Sequence, residues 1–240
     1  METHTMFELL IIGFAIAIIF GLIVAARYIR RLARGDSTVW EREIRRFREQ
    51  DARDPPSSDM IIFTGSSSIK YWKTLNDDMA PLHVLNRGFG GSRIPDVIHY
   101  ADEIVISYKP KGVVFYAGEN DITGLLFSSK QSAEEVKENF QRFCEKVHGV
   151  LPSIPIFFIS IKPPKRRRKF WPVMQKANQL INEYCNNSSL LHYIDIVPPL
   201  LDSEGNARPE FFKWDGIHLN DVGYRIWVSV VKPILTGIFR

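Results

Sequence analysis

Four short polar segments of the 240-residue chain each set one kind of acyl-transfer group beside small residues. The first is Phe63-Thr64-Gly65-Ser66-Ser67-Ser68-Ile69. A hydroxyl at a sharp strand-to-helix turn can attack a carbonyl, and the amide of the same residue can steady the resulting oxyanion. A helix N-cap gives the same letters, and three consecutive serines suit that reading equally. The second is Asn86-Arg87-Gly88-Phe89-Gly90-Gly91-Ser92-Arg93. Its three glycines let backbone amides approach a ligand closely, although a tight turn before a helix needs them too. It has neither phosphate-loop nor dinucleotide-fingerprint spacing. Arg87 and Arg93 flank it and are candidates for binding a negative group of the substrate. The third is Ala117-Gly118-Glu119-Asn120-Asp121, where the Asn120 amide can donate to an oxyanion or the segment can simply turn. The fourth is Trp214-Asp215-Gly216-Ile217-His218-Leu219-Asn220. Histidine is the natural base near neutral pH, and a carboxylate three residues earlier can orient its ring. His83, His99, His148 and His192 lack that setting and read as structural, and His4 precedes an apolar stretch.

Elements that can position these segments alternate along the chain. Met60–Phe63, Val84–Asn86, Gly112–Tyr116, Ile156–Ser160 and Tyr193–Asp195 are short apolar runs, read as strands. Ile94–Ile106, Ala133–Val150, Val173–Cys185 and Val222–Leu235 carry helical periodicity. Ser132 and Glu135 form a capping box ahead of the second. Continuously apolar strands alternating with helices predict a parallel sheet covered on both faces, with its site beyond the strands' carboxyl ends. The first three polar segments directly follow the first three strands, and the fourth precedes the last helix.

The N-terminal part differs. Met6–Ala26 is long and apolar enough to cross a bilayer, with Glu8 near its start and no charge from Leu9 to Ala26. A signal peptide is the competing reading, but METHTMFE has no basic residue and the apolar run is long. Arg27, Arg30, Arg31 and Arg34 follow the span, so the positive-inside rule puts the remainder in the cytoplasm. Residues 27–57 read as a basic juxtamembrane helix and linker, with Trp40, Ile44 and Phe47 on one face and a capping box at Thr38 and Glu41. Asp54-Pro55-Pro56-Ser57-Ser58 ends it, so the expected units are 1–26, 27–57 and 58–240. Gly35-Asp36-Ser37-Thr38 also resembles a nucleophile motif, but arginines rather than a buried strand precede it, so it is assigned to a helix start.

Composition bounds the rest. Hydrophobic residues make up 45% and charged residues 24%, which excludes a disordered or fibrous chain. The net charge of +4 is a weak pull toward anionic surfaces. Cys144 and Cys185 show no metal-ligand spacing and read as free buried thiols, and no metal or cofactor is expected. Lys165-Arg166-Arg167-Arg168-Lys169 follows the fourth strand. A solvated basic loop is the plainer reading, and contact with anionic lipid headgroups or an anionic substrate is the functional one. No recognition fold accompanies it, so no nucleic-acid role is expected.

Taken in order, the four segments resemble the four blocks of the SGNH hydrolases, a subset of the GDSL esterase/lipase family, and the resemblance runs from about Met60 to the C-terminus. It implies a flavodoxin-like three-layer α/β/α sandwich with a parallel sheet of about five strands. It implies Ser67 as nucleophile, Asp215 and His218 as its acid-base pair, and Ser67, Gly91 and Asn120 as oxyanion donors. Ser66 stands where the family's Gly-Asp-Ser has Asp, which leaves Ser66 and Ser68 as alternative nucleophiles. No G-x-S-x-G elbow is present, which argues against the α/β-hydrolase scaffold. The implied activity is hydrolysis of an ester or thioester, such as a lysophospholipid, through an acyl-enzyme. Carbohydrate O-deacetylation and a non-catalytic acyl- or glycan-binding module are the alternatives.

Overall fold

The computed structural model describes residues 2–57, 59–124 and 128–239. Helix α1 (Glu2–Ala33) is followed by a 3-10 turn (Ser37–Trp40) and by α2 (Glu41–Arg53). The chain then runs through β1 (Ile61–Gly65), α3 (Ser67–Lys70), α4 (Leu75–Met79), β2 (Val84–Gly88), α5 (Ile94–Ile104) and β3 (Gly112–Tyr116). It continues through α6 (Glu119–Thr123), α7 (Ala133–His148), β4 (Ile156–Ile159), α8 (Trp171–Cys185), β5 (Leu191–Ile194) and α9 (Asp221–Ile238). The five strands form one parallel sheet in the order β2-β1-β3-β4-β5. That is the flavodoxin-like order, and the three-layer expectation holds.

Strand alternation divides the core. Ile62, Val113, Phe115, Ile156 and Phe158 face α2, α5, α7 and α8, while Ile61, Phe63, Val114, Phe157 and Ile159 face α3, α4 and α9. The three inner strands β1, β3 and β4 are buried on both faces, which is why they read as largely apolar runs rather than as alternating ones, while the edge strands β2 and β5 are partly exposed. The capping box ahead of α7 is formed, with the Glu135 amide donating to Ser132 Oγ and the Ser132 amide to the Glu135 carboxylate. Cys144 and Cys185 are buried free thiols, and burial pushes both thiol pKa values up.

The N-terminal third requires two corrections. The cap lies at Asp36, whose side chain accepts from the Thr38 amide at 2.9 Å, rather than at Thr38. The Asp36 carboxylate reaches the start of the turn that follows it, and Thr38 Oγ1 itself donates to Asp36 at 2.6 Å. Residues 32–53 are also more than a linker. Leu32, Trp40 and Ile44 belong to the buried core, and the Trp40 ring meets Phe89 edge-on at 5.9 Å. Thus the break at 54–57 interrupts secondary structure without dividing the core; Ser58 lies outside the described residues. By contrast, the side chains of α1 from Glu8 to Arg31 are exposed, and Glu8–Ala33 has a length and composition that fit either a membrane span or a signal sequence.

Candidate active site

The carboxyl ends of β1, β2 and β3 lie in register, with Gly65 opposite both Gly88 and Tyr116. Gly65 takes φ +129°, and a Cβ there would meet the Tyr116 carbonyl oxygen at 1.9 Å. Only glycine fits that close approach. The chain turns at once into α3, so Ser67 occupies its first position, where a helix leaves amides without intrahelical partners. Gly88 has a matching role, since a Cβ there would meet the Lys70 amide nitrogen at 2.5 Å. From the other side, Tyr224 of α9 donates its hydroxyl to the Ser68 carbonyl at 2.8 Å and fixes the turn.

The fourth segment reaches Ser67 across 151 residues of sequence. His218 Nε2 lies 2.9 Å from Ser67 Oγ, and His218 Nδ1 lies 2.7 Å from Asp215 Oδ2. Asp215 also accepts from the Ile217 and His218 amides at 2.8 and 2.9 Å. Partial burial pushes the Asp215 carboxyl up, but the hydrogen bonds from the His218 ring and the two amides outweigh it and hold its pKa at about 2. An ionised carboxylate only accepts, so the proton sits on Nδ1 and a neutral ring offers Nε2 as acceptor to the Ser67 hydroxyl. The Tyr71 ring stands edge-on to the imidazole at 5.0 Å. Ser66 and Ser68 are buried, and Ser68 Oγ has no hydrogen-bond partner among the described residues. Of the three serines, Ser67 is the one hydrogen-bonded to the histidine.

The glycine loop and the third segment meet beside it. Gly91 takes φ +83°. Ser92 Oγ donates to the Gly65 carbonyl at 3.1 Å, and the Asn120 amide donates to the Ser92 carbonyl at 3.1 Å. Asp121 accepts from the Ile94 amide at 3.0 Å, tying α6 to the start of α5. Together these bonds draw Gly65, Gly91 and Asn120 to one place above the sheet.

Several residues that sequence reasoning passed over support this arrangement. Buried Glu119 receives Lys162 Nζ at 2.5 Å and one nitrogen of Arg167 at 2.9 Å, and the same Arg167 nitrogen lies 3.3 Å from Asn120 Oδ1. Donation to Oδ1 fixes which way the Asn120 amide points. Burial pushes the Glu119 carboxyl up, but Lys162 and Arg167 outweigh it and hold its pKa below the ordinary value. Lys162, the one charged residue between the fourth strand and Pro163-Pro164, was the available signal. Within the basic run, Arg167 is thus engaged in the site, while Lys165, Arg166, Arg168 and Lys169 are exposed.

Arg87 and Arg93 do not offer free cationic groups to a substrate. Arg87 is fully buried, bonded to Asp51 and to the Tyr108 hydroxyl and stacked on Phe47 at 4.9 Å. It fastens α2 to the edge of the sheet. Arg93 pairs with Asp96 at 3.2 Å at the start of α5 and lies against Gly35. Both flank the glycine loop in sequence, but their charges are already neutralised by carboxylates of the fold.

Comparison with known proteins bears on the family and the fold. The family described as GDSL-like lipase/acylhydrolase matches residues 33–226. No curated protein matches the sequence. Solved structures of similar shape include a chain from Streptococcus pneumonia, at TM-score 0.70 and 18% identity over 92% of this chain and 99% of that one. A GDSL-like lipase from Bacteroides thetaiotaomicron superposes at TM-score 0.69 and 21% identity, covering 81% of this chain and 98% of its own. A variant of an acetyl-xylooligosaccharide esterase from Geobacillus Stearmophilus gives 0.60 and 16%, with coverage of 76% and 94%. At these identities the likeness speaks for the fold. With four-fifths of its length matched in a single stretch, this chain belongs to the GDSL-like lipase/acylhydrolase family.

Proposed function

We propose that the protein is a membrane-anchored serine esterase that cleaves an ester or thioester through an acyl-enzyme on Ser67. The observation that carries this reading is the continuous chain from Ser67 Oγ to His218 to Asp215, at 2.9 and 2.7 Å. His218 Nε2 takes the Ser67 proton as Oγ bonds to the acyl carbon and the carbonyl electrons move onto oxygen. The Ser67 and Gly91 amides and the Asn120 side chain receive that oxyanion. As the tetrahedral intermediate collapses, His218 returns the proton to the departing alcohol or thiol. A water then repeats the sequence on the acyl-enzyme, freeing the acid and restoring Ser67.

Membrane anchoring by Met6–Ala26, with the domain on the cytoplasmic side, follows from the apolar run and the arginines after it. An anchor favours acyl esters such as lysophospholipids, and the exposed members of Lys165–Lys169 suit anionic headgroups. The test is fluorophosphonate labelling of the detergent-solubilised full chain, followed by a panel of lysophospholipids, acyl thioesters and acetylated sugars. Labelling that vanishes in Ser67→Ala supports the reading. A folded wild-type chain that takes no label supports a binding module, and label surviving in Ser67→Ala moves the nucleophile elsewhere. Turnover confined to the acetylated sugars would move the activity to carbohydrate O-deacetylation.

A further inference from the structure

The point at which α1 joins the domain bears on where the site opens. Leu32 is buried, and the turn after α1 is fixed by Arg31 Nε on Asp36 at 2.7 Å. Ser37 Oγ donates to Asp96 Oδ1 at 2.7 Å, and a Cβ on Gly35 would lie 3.3 Å from the Arg93 guanidinium. Arg93 and Asp96 open α5, the helix that begins directly after the Gly90–Gly91 loop. The apolar helix therefore meets the carboxyl edge of the sheet, beside the candidate oxyanion loop, without a slack linker.

Length makes this restrictive. From Ala26, the end of the apolar run, to Gly35 is nine residues. At a helical rise of ~1.5 Å per residue that spans about 13 Å. The headgroup layer takes up roughly 5–8 Å on each side of the hydrocarbon core. Tilt of α1 only shortens the remaining distance.

The same edge carries an unexplained aromatic. Trp214, next to Asp215, is 93% exposed, so folding does not account for it. Its neighbour Lys213 is exposed, and the basic run packs on the same loop through the Arg166 amide, which donates to the Gly216 carbonyl at 3.1 Å. Arg167 is held by Glu119, leaving Lys165, Arg166, Arg168 and Lys169 facing outward. An amphipathic indole among cations is the composition that settles at an anionic headgroup layer.

We infer that this carboxyl edge, with Trp214 and the exposed members of Lys165–Lys169 at its rim, docks on the anionic surface of the bilayer that α1 spans, so that the Ser67 site opens toward the headgroups. The inference rests on the membrane-spanning reading of α1. In the experiment, the full chain is reconstituted in nanodiscs of phosphatidylcholine alone or with phosphatidylglycerol, using brominated acyl chains as quenchers. The Trp214 signal is the difference between wild type and Trp214→Phe. The expected result is quenching of that component several-fold stronger with phosphatidylglycerol, and its loss in the quadruple variant Lys165→Gln, Arg166→Gln, Arg168→Gln, Lys169→Gln. A Trp214 component that stays unquenched, or is quenched equally in both discs, overturns the docking face. Extraction of native membranes at alkaline pH separates the two ideas. A chain released from the pellet refutes the span and the docking together, whereas a retained chain with unquenched Trp214 refutes the docking alone.

Discussion

Gly35-Asp36-Ser37 and Gly65-Ser66-Ser67 present nearly the same letters, and both glycines take positive φ, at +73° and +129°. Their surroundings differ. Gly35 follows a helix, Asp36 spends its carboxylate on capping the next turn, and Ser37 Oγ donates to Asp96. Gly65 ends a strand paired on both sides, so close to Tyr116 that no side chain fits, and Ser67 Oγ meets His218. A serine is positioned for attack by a rigid strand end and by the base that reaches it, and the short motif carries neither. The first motif resembles the family's Gly-Asp-Ser more closely in letters, and the second has the geometry.

Three substitutions sharpen this contrast, in falling order of effect. Ser67→Ala removes the nucleophile and lowers hydrolysis of a short-chain nitrophenyl ester by roughly 10⁴-fold or more. Residual turnover near wild type would return Ser37 to consideration. Asp215→Asn keeps the shape of the loop but no longer demands a proton on Nδ1, and kcat falls by about 10⁴. A loss below tenfold would mean that the carboxylate does not set the tautomer. Asn120→Ala removes one donor, with an expected drop of about 10²–10³ in kcat and little change in KM. A rise in KM with kcat preserved would assign Asn120 to ground-state binding.

What the sequence disclosed follows the same line. Buried parallel strands are apolar, so a polar segment that follows one is conspicuous, and Ser67 and Asn120 stood out for that reason, whereas Asp215 and His218 stood out by their spacing in a glycine-containing loop ahead of the last helix. Distant pairings were hidden. Arg87 appeared free to bind a substrate because its partner Asp51 lies 36 residues earlier, on a helix whose place against the sheet no local pattern reveals. Glu119 and Lys162 meet across 43 residues, so neither signals the other. Residues 27–57 read as a linker for the same cause, since the Trp40–Phe89 contact joins segments 49 positions apart.

The two motifs also come together at the start of α5, where Asp121 supplies a pH test. Burial pushes its carboxyl up to about 7; the Ile94 amide pulls it down and nearby Asp96 pushes it further up. The folded value lies above the unfolded one of roughly 3.9. The contribution to stability is therefore full below the unfolded value and is lost as pH rises toward about 7, with a slope of at most ~1.4 kcal/mol per pH unit. Asp215 has the opposite sign, since its depressed pKa gives stability that disappears on acidification toward about 2. Chemical denaturation of Asp121→Asn from pH 4 to 8 should show a flatter profile than wild type. Identical slopes would mean that Asp121 is ionised throughout.

Ser37→Ala is expected to have the smallest effect. It removes one partly buried hydrogen bond to Asp96 and touches no group near Ser67. The cost should be about 1 kcal/mol in denaturant titration, with kcat/KM for a soluble ester within about twofold of wild type. Asp96 keeps the Arg93 amide and guanidinium as partners, so the start of α5 retains its charge balance. A large loss of kcat/KM at unchanged stability would break the contrast between the two serines. A motif held in place by capping and packing would then be influencing the chemistry through α5 and the glycine loop that precedes it.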